Sequence, residues 1–172
     1  MQRDSFAKTL IVATVLCVVC SVVVAGAAVG LSEIQEANKL KDQKKNVLIA
    51  ADIFKTGENT LADVDRLFDE RIERELIDLS TGELAPEDAV DVDAYDQRKA
   101  AKAIDLSQAV DPPSALGGIK RREKYAFIYK VKGESGEIEQ VVLPVYGKGL
   151  WSTLYGFLAV ASDGKTVKGI TF

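Results

Sequence analysis

A long uncharged stretch near the N-terminus constrains this chain most. Residues 10–31, LIVATVLCVVCSVVVAGAAVGL, contain no Asp, Glu, Lys or Arg. A helix of about 20 apolar residues crosses a bilayer core about 30 Å thick, so this stretch is long enough to span it. The pattern therefore predicts a transmembrane anchor over residues 10–31, preceded by a short basic N-terminus over residues 1–9.

The same stretch has a rival interpretation as a cleaved signal peptide. Residues 25–27, AGA, resemble a cleavage site, and Arg3 and Lys8 would form the basic segment ahead of it. A retained anchor is favoured because the apolar stretch exceeds a usual signal core and an amphipathic pattern follows it directly. Lysines also follow the stretch, so charge alone leaves its orientation open, although the short basic N-terminus favours a domain outside the cell membrane.

The composition excludes several classes of site and partner. The chain has no histidine, which excludes a Ser-His-Asp triad and every His-based metal site. Its two cysteines, Cys17 and Cys20, lie inside the apolar stretch and are interpreted as membrane-buried residues, not as a redox pair. The 22 basic and 26 acidic residues are interspersed, which argues against nucleic-acid binding. These exclusions favour an activity that rests on a bound cofactor.

Helical periodicity follows the anchor. A stalk helix is predicted over residues 32–56, with Ser32 as its N-cap. A second amphipathic helix is predicted over residues 60–76. A short strand at residues 77–79, a short helix at 95–104 and a loop through 111–118 are the further predictions before the sheet.

Strand periodicity fills the C-terminal third. Alternation predicts one hairpin from residues 125–131 and 138–146, and a second from 153–161 and 166–172. The charged run KRREK, residues 120–124, is interpreted as the solvated start of this sheet, and the alternative is a contact with a phosphate or a partner subunit. Helices followed by an antiparallel sheet make an α+β domain over residues 57–172. Because the chain stops within a strand-like run at Phe172, we expect the C-terminal part of this domain to lie outside the sequence.

The stretch PVYGKGLWSTLYGFLAV, residues 144–160, gathers aromatic residues beside glycines. Trp151 is the only tryptophan, and Tyr146 and Tyr155 flank it. One interpretation is a folding corner that buries the tryptophan. The other is a slot for a flat aromatic ligand, with glycines that let the backbone approach it closely.

Three segments resemble a known family. They are GIKRREKYAFIYKV, VVLPVYGKGLWSTLYGFLAV and KGITF, at residues 118–131, 141–160 and 168–172. They closely resemble the C subunit of the bacterial Na⁺-translocating NADH:quinone oxidoreductases, to which the G subunit of the Rnf electron-transport complex is related. The resemblance implies an FMN bound by a phosphoester to a threonine of an S-G-A-T motif. It also implies one-electron transfer within a pump that couples NADH oxidation and quinone reduction to Na⁺ export.

The S-G-A-T motif is absent from these 172 residues, so no attachment residue is assigned. The resemblance carries over one wall of the flavin site, formed by Gly149, Leu150 and Trp151 with Lys148 and Ser152. It implies no catalytic side chain and no metal, because the flavin would supply the redox chemistry.

The resemblance also implies partners and a location. Other subunits of the respiratory complex would handle NADH and quinone, and this chain would have no independent activity. The protein would be single-pass in the bacterial inner membrane, with its domain on the periplasmic side. The alternatives are a cofactor-less, membrane-anchored assembly module, if the natural chain ends at Phe172, and a secreted binding protein released at Ala27.

Overall fold

The computed structural model describes residues 6–86, 88–110, 119–133 and 135–172. Three helices and seven strands follow one another in these ranges. They are α1 (Phe6–Ala50), α2 (Asp63–Arg71), β1 (Ile72–Asp78), α3 (Gln97–Ala100), β2 (Ser107–Ala109), β3 (Arg121–Glu123), β4 (Tyr125–Lys132), β5 (Ile138–Lys148), β6 (Thr153–Ala161) and β7 (Val167–Thr171). This arrangement confirms the predicted α+β class.

Helix α1 is continuous across the predicted junction between anchor and stalk. Ser32 is therefore not an N-cap, and its hydroxyl donates instead to the Val29 carbonyl, at 2.8 Å, inside the helix. The chain separates into two compact units, Met1–Lys41 and Asp42–Phe172, and the division falls within α1.

Helix α1 ends at Ala50, earlier than the predicted stalk. Asp52 adopts a left-handed backbone with φ of 57°. The backbone N–H of Ile53 then donates back to the Leu48 carbonyl at 2.9 Å, which is the pattern that closes many helices. Strands β5 and β7 both contact this end of the helix. The Gln140 amide donates to the Ala51 carbonyl at 2.8 Å, and a Cβ at Gly169 would lie only 2.3 Å from the Ala50 carbonyl oxygen.

The main sheet has five antiparallel strands in the order β1-β4-β5-β6-β7. Its β4–β5 and β6–β7 hairpins are the two that the alternation predicted. The predicted second helix is wrong beyond Arg71, since Ile72–Asp78 forms β1 and pairs with β4 from Ile72↔Val131 to Asp78↔Tyr125. This pairing puts Ile72 and Leu76 into the core, so tertiary contacts override the helical period.

The core lies between one face of this sheet and two helical segments. Three aromatic rings of this core contact one another. Tyr129 meets Phe68 and Phe157 edge-to-face, with centroids 6.1 and 5.9 Å apart. The other buried apolar residues of this cluster are Val47, Leu48, Ala50, Ala51, Phe54, Val64, Ile72, Leu76, Phe127, Val131, Val142 and Ala159.

A smaller polar layer lies beside the main sheet. The helix predicted at residues 95–104 is shorter, because α3 covers only Gln97–Ala100, with Asp96 as its side-chain N-cap. Strands β2 and β3 pair antiparallel, with Ser107 opposite Glu123. Strand β2 was not predicted, and β3 lies in the run interpreted as the start of the main sheet but forms this separate pair instead. The loop predicted over residues 111–118 lies outside the described residues.

Candidate functional site

The five predicted site residues lie together at one hairpin tip. Strand β5 ends at Lys148 and β6 begins at Thr153, with these two residues paired. The Gly149 backbone N–H donates to the Ser152 carbonyl at 2.9 Å and closes the turn. The structure thus places residues 148–152 in a single tight turn between two long strands.

The apolar side chains of this turn point into solvent. Leu150 is 92% exposed and Trp151 is 94% exposed. A folding corner that buries the tryptophan is therefore excluded in this structure. An indole and an isobutyl group this exposed form a small apolar surface on the hairpin tip, which is typical of a contact site.

The two glycines around Lys148 have different roles. A Cβ at Gly149 would lie 2.8 Å from the Ser152 carbonyl oxygen, so closure of the turn itself requires glycine there. A Cβ at Gly147 would meet no heavy atom within 4 Å. Hairpin geometry therefore explains Gly149 without any ligand.

A buried polar cluster, missed from the sequence, lies below the turn. Glu123 is 2% exposed and accepts from the Tyr146 hydroxyl and the Gln97 amide, both at 2.6 Å. Burial and the hydrogen bond to Glu123 raise the pKa of Tyr146 above its ordinary range. The predicted solvated run KRREK thus contains one deeply buried acid. The only sequence signal for this buried acid is its position near the end of the charged run that adjoins the apolar residues of β4.

Two further side chains complete this cluster. The Tyr146 and Tyr155 rings are partners across β5 and β6, with centroids 5.8 Å apart. The Arg98 guanidinium lies 4.1 Å from the Tyr155 ring centroid, a cation–π contact. Within the described residues, no group of three or more His, Cys, Asp or Glu side chains is arranged to hold a metal ion.

Helix α1 meets the length and composition required of a membrane span. Its most apolar window has a mean hydropathy of 2.8, and none of that window is buried. A signal sequence near the N-terminus has the same properties, so both interpretations of residues 10–31 are consistent with this helix.

Comparison with known proteins gives a consistent set of relatives, although no family model matches the chain. The chain is 44% identical over 172 residues to the C subunit of the Na⁺-translocating NADH-quinone reductase of Yersinia pestis, covering 99% of this chain and 63% of that protein. It is also 44% identical over 171 residues to the C subunit of the same reductase in Neisseria meningitidis serogroup A, covering 99% of this chain and 64% of that protein. The resemblance to the C subunit is confirmed.

Solved structures of C subunits share the fold. The crystal structure of Shewanella oneidensis NqrC matches with a TM-score of 0.66 and 34% identity, over 78% of this chain and 59% of that one. The Parabacteroides distasonis C subunit has a TM-score of 0.58 at 22% identity, over 83% and 57% of the two chains, and supports the fold alone. The chain spans just under two thirds of the length of the two curated relatives from Yersinia and Neisseria.

Proposed function

We propose that this chain is a membrane-anchored electron-transfer subunit that carries FMN in a Na⁺-translocating NADH:quinone oxidoreductase. The observation that carries the proposal is the exposed Leu150–Trp151 pair, on a hairpin tip of a chain 44% identical to the Yersinia C subunit. Partner subunits would bind NADH and quinone, and the chain alone would have no enzymatic activity.

The turn fits one wall of a flavin site. The isoalloxazine ring of FMN is flat and largely apolar, and the exposed indole of Trp151 offers it a flat apolar surface. Lys148 is exposed on the same turn and can supply a positive charge to the anionic phosphate. When bound, FMN would supply the one-electron redox chemistry. These five residues make one wall and do not enclose a ring by themselves.

The proposal also includes a membrane anchor in α1 and a location for the β-sheet domain. Residues 10–31 of α1 would remain in the inner membrane as a single span, with the β-sheet domain on the periplasmic side. The exposed apolar window of α1 supports a retained span, because an apolar helix surface is stable in a lipid core. The complex would supply partner subunits, and the chain would bind no nucleic acid.

The exposed tip also favours a second candidate, a cofactor-less assembly module. In that case Leu150 and Trp151 would pack into an apolar groove of a partner protein, because exposed Trp is a common anchor of protein interfaces. The two functions differ in whether the protein contains flavin.

The test compares variants of the protein purified from its own membranes. Trp151→Ala should change the absorbance and midpoint potential of the flavin, whereas Trp151→Phe should keep most of both, since a flat ring remains. Leu61→Ala is the matched control, because Leu61 is also exposed, at 60%, but lies before α2. All three variants should insert in the membrane normally. A flavin whose spectrum and potential are the same in Trp151→Ala and wild type would refute Trp151 as its wall.

A further inference from the structure

Glu123 is a buried acid with an unusual environment. It is 2% exposed, and no described Lys or Arg forms an ion pair with it. A carboxylate removed from water is costly unless hydrogen bonds compensate for the lost hydration. Glu123 has one donor on each oxygen, the Gln97 amide on Oε1 and the Tyr146 hydroxyl on Oε2.

These hydrogen bonds join three elements. Glu123 is on β3, Gln97 on α3 and Tyr146 on β5. The Tyr146 bond is 2.6 Å long, within the range for a hydroxyl that donates to a charged acceptor. The Gln97 side chain also accepts from the Phe127 backbone N–H at 3.1 Å, which connects the cluster to β4.

The tip of the β5–β6 hairpin has few other attachments. Gly149 is partly covered, and every other residue from Lys148 to Leu154 is exposed. Tyr146 and Tyr155 form the last pair with half-buried side chains before the tip. Of these two tyrosines, only Tyr146 has a hydroxyl with a described hydrogen-bond partner. Among the described residues, the Glu123–Tyr146 bond is therefore the side-chain hydrogen bond that connects this end of the hairpin to the rest of the domain, alongside the Arg98–Tyr155 cation–π contact.

We propose that Tyr146 is a positioning residue. Through its hydrogen bond to Glu123 it fixes the hairpin, and with it the orientation of residues 149–152 toward the flavin. This inference rests on the proposed function. Tyr146 would not touch the flavin in this role, because the turn residues form the wall.

The test uses two matched variants, Tyr146→Phe and Tyr155→Phe. Each removes one hydroxyl from the same ring pair, but only the first removes the bond to Glu123. Backbone amide exchange of residues 147–154 should be about tenfold faster in Tyr146→Phe, as expected for a lost hydrogen bond to a buried acid. The visible circular dichroism and midpoint potential of the flavin should shift in the same variant. Tyr155→Phe should match wild type in each measurement, and exchange in β4 should stay slow in both variants.

Each other outcome contradicts a defined part of the inference. Equal hairpin exchange in the two variants would show that Tyr146 does not anchor the hairpin. Faster exchange with an unchanged flavin would make Tyr146 a structural residue only and would overturn the positioning role. Wild-type protein without flavin would refute the proposed function and the positioning role with it, while the exchange data would still decide whether Tyr146 anchors the hairpin.

Glu123→Gln separates hydrogen bonding from charge. The amide keeps a hydrogen-bonding partner for Tyr146 but carries no charge, so the hairpin should exchange at nearly the wild-type rate. Faster exchange in Glu123→Gln, equal to that of Tyr146→Phe, would show that the hairpin needs the charge itself and would overturn positioning by hydrogen-bond geometry.

Discussion

In strands β5 and β6, both faces of the five-stranded sheet have apolar side chains, but the helices pack against only one of these faces. On the helix-covered face, Tyr129, Val142 and Phe157 are at most 6% exposed. On the opposite face, the neighbours Leu143 and Leu158 are only partly buried, and Ile170 is 52% exposed. The helices, and not the type of side chain, therefore set which residues of β5 and β6 form the core.

The opposite face is itself divided. Its β1–β4 part has cross-strand ion pairs, Glu75–Lys130 at 2.6 Å and Glu73–Lys132 at 3.1 Å. Such partly exposed pairs contribute little to stability but suit contact with water. Its β5–β7 part has Leu and Ile instead. The comparison shows where removal of an apolar side chain should destabilise the domain strongly and where it should do so only weakly.

The largest expected effect tests the difference between the faces on one strand. Phe157→Ala removes a 6%-exposed ring that contacts Tyr129, and should lower the free energy of unfolding by about 3–5 kcal/mol. Leu158→Ala, one residue along on the other face, should lower it by about 1 kcal/mol, because Leu158 already contacts water. Urea unfolding of both variants measures the difference. Equal losses would contradict the assignment of the faces.

A smaller effect is expected from two glycines that differ in their surroundings. Gly169→Ala puts a methyl group 2.3 Å from the Ala50 carbonyl oxygen and should destabilise the domain by about 1–3 kcal/mol. Gly147→Ala has open space and should change stability by less than about 0.5 kcal/mol. Thermal unfolding of the pair checks this. A neutral Gly169→Ala would mean that α1 does not approach β7 this closely.

The smallest expected effect is on the pH dependence of stability, and it concerns Tyr95, which lies beside the helix-covered face of the sheet. Burial raises the pKa of Tyr95 from 10.0 to about 12, and its hydroxyl donates to the Tyr125 carbonyl at 2.7 Å. The folded state holds this proton more tightly than the unfolded state, so its contribution is present below pH 10 and is lost as the pH rises toward 12.

Unfolding measured between pH 9 and about 12 tests this pH dependence, with Tyr95→Phe as the control. Wild type should lose stability faster than Tyr95→Phe over that window, because the variant lacks the titrating group. Parallel curves for the two proteins would contradict the raised pKa.

Local patterns predicted much of this fold. Alternation of period two is strong in residues 125–146 and 153–172, and the hairpins form there. The strand predicted at residues 77–79 overlaps only the end of β1, which begins at Ile72. Residues 72–76 were assigned to a helix because they also fit a helical period, and only pairing with β4 decides between the two. The short β2–β3 pair was missed because three-residue strands of charged and polar residues have no apolar alternation.

The candidate site was predictable only in part. The glycines of residues 147–149 indicated a turn, and the chain turns there between β5 and β6. The exposure of Trp151 and the burial of Glu123 were not predictable, because both depend on neighbours distant in sequence. The hydrogen-bond partners of Glu123 are Gln97 on α3 and Tyr146 on β5, which lie 26 and 23 residues away in the sequence.

In-gel flavin fluorescence of the protein purified from its own membranes tests the central claim most directly. We predict a fluorescent band that persists after denaturation, because the proposed FMN would be covalently bound. The band should contain this sequence but have a mass above that of these 172 residues plus FMN, because no S-G-A-T attachment motif lies within them. A correctly assembled and membrane-inserted protein with no flavin, either in the gel or in the native state, would contradict the electron-carrier function and support the assembly module.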